Sequence, residues 1–524
     1  MKNFITKPIH PFLFALFPTF AFVAHNFDEL IAEYLTYPTV FLTLFVFILW
    51  LLVSFFISNR QKSALVVSAV AFLTSYLIDF KVFLYDFRAN QFFITNQKKI
   101  LFLAIFLVFT IFVIRKITVN FRKITILLNI FSLSFLMIPT TQIIYKQALR
   151  ALNPVKSSNI IVYNGDESVQ GELPDIYYII VDRYASRRIL DELYNFDNSE
   201  FINFLKNRGF FVAKTAANYP FTVSSLASSL NMIYLDNVVE QVDRGSDSKR
   251  PLIDMIQDSE VARYLKNKGY KYLNFGFSWE HNAKNKNADY NYAYEPKELH
   301  YLEKLLDELD NNSTNFLGSF LTQTLKDQTL GQLTGGGNYW NFIIDQILEV
   351  SRTTKIEGPK FVFYHSFLAH DPYIFDRDGN PQATDQFNMK EGAKKLYVEQ
   401  LIFANKVLMN LIDTLLKDSE KPPIIILQAD EGPYPKRFRQ QLDKFNWRTA
   451  TVEELKEKMR IISAYYFPGG KTDLLYQTIS PVNSFRVILN TYFGENLPLL
   501  PDKNYAQVYS EFPYDVFEVT NIVK

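Results

Sequence analysis

The chain has 524 residues, of which 48% are hydrophobic, 16% aromatic and 21% charged, with a formal net charge of +1. This composition excludes a wholly disordered chain, and the near-neutral charge offers no electrostatic footprint for a nucleic-acid binder. Cysteine is absent, which excludes disulfide scaffolds, thiolate metal sites and cysteine nucleophiles.

The small net charge is a cancellation between two halves. Residues 1–150 hold 14 Lys+Arg against 5 Asp+Glu, leaving 41 against 49 in the remainder. A bilayer-spanning helix needs roughly 20 mostly apolar residues. Five stretches in the first half approach that: Pro11–His25, Val40–Ser58, Ala64–Ile78, Ile100–Ile114 and Ile124–Ile138. Five in series do not fit a single secretory signal. Runs such as VFLTLFVFILWLLVSFF are apolar on every face, which predicts transmembrane helices rather than a soluble bundle. Their cores carry no Asp, Glu, Lys or Arg, against the pattern of a transporter.

Short-loop cations set the orientation. With the N-terminus inside, the inner segments hold Lys2, Lys7, Arg60, Lys62, Arg115, Lys116, Arg122 and Lys123, and the outer ones only Lys81, Arg88, Lys98 and Lys99. Five crossings then place everything after Tyr145 outside the cytoplasm. The expectation is a multi-pass membrane protein whose polar half is extracytoplasmic.

Residues 151–173 read as a polar linker with Pro154, Gly165 and Gly171. From residue 174 short apolar runs alternate with amphipathic segments, which predicts βαβ units and a mainly parallel sheet sandwiched by helices. The runs are Ile176–Val181, Phe210–Ala213, Lys271–Phe275, Phe361–Phe367, Ile424–Leu427 and Ile462–Phe467. FLKNRGFFV (204–212) and YLKNKGYKYL (264–273) each read as a basic helix end, a Gly cap and a strand start. The domain is drawn at 174–500, with 501–524 as its C-terminal extension.

Ligands of open parallel sheets bind at the carboxyl ends of the strands. Three such ends carry polar groups: Asp182 after IIV, His370 and Asp371 after the Phe361–Phe367 run, and Asp430 with Glu431 after IIILQ. Converging carboxylates suggest a metal, although acidic residues at strand ends also cap helices. Thr222 stands where a helix rich in small hydroxyl residues (TVSSLASSLNM) should begin. A hydroxyl there faces backbone N–H groups and the positive end of the helix dipole, a setting for an anionic substrate. Threonine is also a common N-cap.

The blocks PDIYYIIVDRY, NYPFT with SSLASSLNMIYL, FLAHDPYIFDRDG, LQADEGPYP and SPVNSFR together resemble the sulfatase-like branch of the alkaline phosphatase superfamily. The likeness is greatest to membrane-anchored lipoteichoic acid synthase and related phosphoglycerol transferases. It covers roughly residues 174–500, and the membrane half in outline. The resemblance implies that Asp182 and Asp430 bind a metal, that Thr222 is a nucleophile that also touches the metal, and that His370 and His281 face the substrate. Two positions depart from the family pattern. Glu431 stands where a histidine ligand is expected, and Arg183 where a glycine usually follows the first strand. Glu431 is a fourth ligand candidate, and Arg183 a phosphate-binding candidate through its bidentate fork.

Only six histidines are present, so Asp182, Thr222, Asp430 and Glu431 form an oxygen-only set. That set favours one Mn²⁺ or Mg²⁺ over Zn²⁺ or Ca²⁺. The expected function is a membrane-bound transferase that moves a phosphoglycerol- or phosphoethanolamine-type head group from a lipid donor to an envelope glycan or glycolipid, through phospho-threonine. The alternatives are a sulfatase- or phosphodiesterase-type hydrolase of the same fold, and a degenerate domain that binds a glycan or a partner without turnover.

Overall fold

The computed structural model describes residues 6–25, 27, 36–76, 96–152, 173–276, 284–293, 337–371, 373–380 and 393–524. The chain divides into two compact units, Met1–Pro154 with Glu295–Asn338 and Val155–Tyr294 with Tyr339–Lys524.

Among the described residues the first unit contains five helices: α1 (His10–His25), α2 (Thr36–Phe56), α3 (Arg60–Tyr76), α4 (Asn96–Lys116) and α5 (Phe121–Leu152). Each predicted apolar stretch falls largely on one of them. Among the described residues, only Phe121–Ala148 of α5 is long and apolar enough to cross a membrane by itself, and the apolar parts of α1 and α2 are shorter. Val46, Val53, Val66, Val67, Ile114 and Phe121 form a common apolar core. On the opposite faces large apolar side chains point outward, among them Leu52, Phe55 and Val108. An exposed apolar surface of this kind is a face made for a protein partner or a membrane. Polar groups are paired inside instead: the His10 backbone N–H donates to Asn129 Oδ1 at 3.0 Å, and Trp50 Nε1 to Ser63 Oγ at 2.9 Å.

The second unit is built on a seven-stranded sheet. Its strands are β1 (Ile176–Val181), β2 (Phe211–Val212), β4 (Lys271–Phe275), β5 (Tyr290–Tyr292), β6 (Lys360–Ser366), β7 (Ile424–Gln428) and β9 (Ser463–Tyr466), in the order β2-β9-β7-β1-β6-β4-β5. The five strands from β7 to β5 are parallel. The antiparallel β9 and β2 close one edge. Short strands β3 (Thr215–Ala216) and β8 (Arg460–Ile461) pair beside the sheet.

The sequence of β1, IYYIIV, is buried on both faces, as a central parallel strand requires. Tyr177, Ile179 and Val181 enter one core with Leu401, Leu408 and Leu415 of the helix Ala393–Asp418. Ile176, Tyr178 and Ile180 enter the other with Leu226, Leu252 and Phe485. A side chain of this size contributes on the order of 1.5–3 kcal/mol when fully buried. The architecture is therefore a helix–sheet–helix sandwich.

Both predicted helix-to-strand turns form. Gly209 and Gly269 take φ of 87° and 88°, the left-handed conformation that glycine adopts without a Cβ penalty. Phe210 N–H then reaches Leu205 O, and Tyr270 N–H reaches Leu265 O, each at 3.0 Å, satisfying the last helical carbonyls.

Candidate metal and nucleophile site

The site gathers at the carboxyl ends of β1, β6 and β7. In register, Ile180 pairs with His365 on β6 and with Gln428 on β7. Asp182 follows β1 directly, with its N–H on Ser366 O at 3.0 Å. Asp430 lies two residues past β7, after Ala429 N–H has bonded Ile462 O at 3.0 Å. Asp182, His365 and Asp430 are all buried, and one ligand atom from each lies within 4.8 Å of the others. His365 Nε2 is 3.5 Å from Asp182 Oδ2 and 3.8 Å from Asp430 Oδ2.

Four carboxylate oxygens here are buried with no hydrogen-bond partner among the described residues: Asp182 Oδ1, both oxygens of Asp430 and Glu431 Oε2. Orphaned buried carboxylates are costly, and a divalent cation would satisfy those of Asp182 and Asp430. The residues therefore fit a metal. Burial, and then the charge of Glu431, push Asp182 up to about 7. Burial and the neighbouring Asp182 push Asp430 up to about 8.

Thr222 opens the helix Thr222–Asn231 and is partly exposed. The N-cap is Phe221, which makes no side-chain cap bond. Thr222 is therefore not spent on capping. Its hydroxyl stands near enough to Asp430 to favour the ionised carboxylate, without reaching hydrogen-bond geometry with either oxygen. Ser225 Oγ of the same helix donates to Asp430 O at 2.7 Å, which ties the helix start to the β7 tip.

Arg183 occupies the turn after Asp182 with φ of 62°. This is the conformation in which glycine is the unstrained choice, so the departure from the family pattern falls on a strained position. The Arg183 side chain is held on several sides. Nε donates to Glu431 Oε1 at 3.0 Å, Nη1 pairs with Asp371 Oδ1, and Cζ stacks 3.9 Å from the Tyr434 ring centre.

Glu431 is not part of the clustered donor group. Its Oε1 lies 3.0 Å from Lys458 Nζ as well as from Arg183 Nε. Asp371 in turn meets Arg439 at 2.9 Å. His370 Nε2 sits 3.8 Å from Asp182 Oδ2. Burial, with the charge of Arg183 next, holds His370 well below the ordinary imidazole range. His281 lies outside the described residues.

Asp182, Asp430, Thr222, Arg183 and His370 are thus brought to one edge of the sheet, while Glu431 turns to two cations. His365, Lys458, Arg439 and Tyr434 join them without having been singled out in the sequence. His365 lies inside a strand rather than beyond its tip. Only the β1–β6 register reveals that it faces the carboxylates.

No family model and no curated protein matches the chain. Solved structures that it is similar to include the C-terminal periplasmic domain of EcEptC from Escherichia coli, with 13% identity and a TM-score of 0.39, over 68% of this chain and 94% of that one. The C-terminal periplasmic domain of phosphoethanolamine transferase EptC from Campylobacter jejuni matches with 12% identity and a TM-score of 0.35, over 66% and 94%. The soluble domain of lipooligosaccharide phosphoethanolamine transferase A from Neisseria meningitidis matches with 12% identity and a TM-score of 0.37, over 62% and 90%. At such values the likeness carries no argument, and the function has to be read from the site's own residues.

Proposed function

We propose that this chain is a membrane-bound, metal-dependent transferase. It moves a phosphoryl-linked head group, of the phosphoglycerol or phosphoethanolamine type, from a lipid donor to an envelope glycan or glycolipid. The observation that carries the reading is the uncapped Thr222 at a helix start beside Asp430, next to a buried group of two carboxylates and an imidazole.

Asp182, Asp430 and His365 would hold the metal, with Thr222 beside it. A divalent cation there supplies positive charge that acidifies a neighbouring hydroxyl and screens phosphate. The imidazole adds a nitrogen donor to a set expected to be oxygen-only, which makes Zn²⁺ as suitable as Mn²⁺.

In the first half-reaction Thr222 Oγ1 forms a bond to phosphorus and the phosphorus–oxygen bond to the lipid breaks. The lipid leaves as an alcohol with the proton that Thr222 gives up. In the second, an acceptor hydroxyl forms the new bond to phosphorus, and Thr222 is released with the acceptor's proton. His370, kept neutral by burial and nearby cations, offers a ring nitrogen as a hydrogen-bond partner to a reacting hydroxyl. Arg183 uses Nε and Nη1 on Glu431 and Asp371, which leaves Nη2 for a phosphate oxygen.

The apolar first unit supports a place at a bilayer, where a lipid donor is met, and the cation distribution supports an extracytoplasmic polar unit. The test is an assay of the full chain in proteoliposomes with head-group-labelled phospholipid. Metal-dependent release of diacylglycerol, with label on an added glycolipid, is the expected result. Label released only to water would make the chain a hydrolase, and no metal-dependent release with either head group would overturn the reading.

A further inference from the structure

Five buried or half-buried side chains form an unbroken chain of alternating charge beside the metal group. Lys458 meets Glu431 at 3.0 Å, Glu431 meets Arg183 at 3.0 Å, Arg183 meets Asp371, and Asp371 meets Arg439 at 2.9 Å. Lys458 is wholly buried and Glu431 nearly so. Three cations against two anions leave the chain with one net positive charge, and Arg183 is at its centre.

The arrangement is built in by the backbone. Gly432 N–H donates to Lys458 O at 2.7 Å, and Lys458 Nζ returns a bond to Gly432 O at 3.2 Å. A Cβ on Gly432 would come within 2.3 Å of Glu457 O, so only glycine permits this approach. Tyr434 offers its ring to both cations, with Arg183 Cζ and Lys458 Nζ each 3.9 Å from its centre. At the far end Arg439 is fixed by Tyr373 OH at 2.6 Å and by Tyr434 O at 3.0 Å.

Arg183 alone between Glu431 and Asp371 would carry more negative than positive charge around it, and an anionic phosphodiester would be repelled. We infer that Lys458 and Arg439 are positioning residues that cancel Glu431 and Asp371, so that Arg183 presents a net positive charge, and an Nη2 with no partner among the described residues, to a singly charged phosphodiester. This rests on the transferase reading and deepens it. Lys458 is too buried to touch the substrate and acts through Arg183. Glu431 serves as the counter-ion that fixes the two cations rather than as a metal ligand.

The experiment is a ³¹P NMR titration of the metal-loaded full chain in detergent with dimethyl phosphate, with bound metal measured on the same samples. Lys458→Met should weaken phosphodiester binding at least 10-fold while retained metal stays at wild-type stoichiometry. Lys458→Arg should restore binding to within about threefold, which a purely structural role for the side chain would not bring about. Removing one partner of a buried pair leaves the other charge uncompensated, so Glu431→Gln/Lys458→Met, which removes both charges of the pair, is the companion variant. It should keep its fold and its metal, and bind the diester no more weakly than Lys458→Met. Unchanged binding in Lys458→Met, or loss of metal in the double variant, would overturn the inference. Either result leaves the transferase reading standing. Wild-type chain that binds the diester yet turns over no lipid would sink that reading and leave this one intact.

Discussion

His365 Nε2 lies 3.5 Å from Asp182 Oδ2, although one residue sits within a strand and the other at the tip of its neighbour. Parallel pairing of Ile180 with His365 turns the imidazole toward the carboxylate. If these two residues and Asp430 hold the metal, His365→Ala should lower metal affinity by 10-fold or more. Asp182→Asn should do the same, while His370→Ala should leave stoichiometry unchanged. Equilibrium dialysis against Mn²⁺ and Zn²⁺ measures this. Full metal retention by His365→Ala would remove the imidazole from the set.

The raised carboxylates give the metal-free protein a distinctive pH dependence. Asp182 and Asp430 bind protons more tightly folded than unfolded, since burial lifts them to about 7 and about 8. The unfolded chain ionises first, so the stability linked to these protons is full below the ordinary carboxylate value near 4 and falls as pH rises toward about 8. The Tm of metal-stripped protein should therefore decline across that window. Saturating metal displaces the protons and should flatten the decline. A Tm that rises from pH 5 to 8 without metal would contradict the assignment.

Arg183 separates strain from chemistry. At φ of 62° a residue with a Cβ costs roughly 1–2 kcal/mol more than glycine. Arg183→Gly should accordingly unfold at higher denaturant than Arg183→Ala. Both should lose activity nearly as severely as a nucleophile variant, because the loss is of the guanidinium. Equal stability of the two variants would mean that the turn relaxes.

Much of this was legible in the residues. IYYIIV, FVFYH and IIILQ announce buried parallel strands, and Asp182, His370 and Asp430 follow their ends because polar groups collect where such strands stop. The two Gly-capped turns at 209 and 269 were readable for the same local reason. What the sequence could not show is lateral register. His365 reads as one more position in an apolar run until β1 lies beside it. Lys458 reads as the solvated end of VEELKEKM, yet it is wholly buried, because Glu431 waits for it on another element. Nor could the sequence show that Glu431 Oε1 meets Lys458 and Arg183, because those contacts join separate elements.

Gly432 is a sharper test of how tightly the β7 tip is built. Gly432→Ala sets a methyl carbon against Glu457 O and Lys458 O, so the backbone must move. A cost of about 1–3 kcal/mol is expected for such overpacking, with reduced metal affinity, because the displaced segment carries Asp430. Denaturant unfolding and metal titration of the same variant check both parts. A neutral result in both would show slack that the contacts do not suggest.

The orientation of the polar unit has its own check. If the chain crosses the membrane five times with the eight-cation segments inside and the four-cation segments outside, a C-terminal alkaline phosphatase fusion should be active in a bacterial host. A fluorescent-protein fusion that folds only in the cytoplasm should stay dark. The reverse pair of results would invert the topology.

Thr222 carries the central claim. Its side chain makes no capping bond, so Thr222→Ala should leave Tm nearly unchanged while reducing turnover by roughly 10⁴–10⁶-fold, the range lost when one member of a covalent catalytic unit is removed. The most direct measurement is mass spectrometry of the full chain after incubation with metal and a lipid extract, without acceptor. A phosphorus-containing head-group adduct on Thr222, discharged when glycolipid is added, is the result the account requires. Lipid turnover with no adduct on Thr222, or with the adduct on another residue, would contradict it.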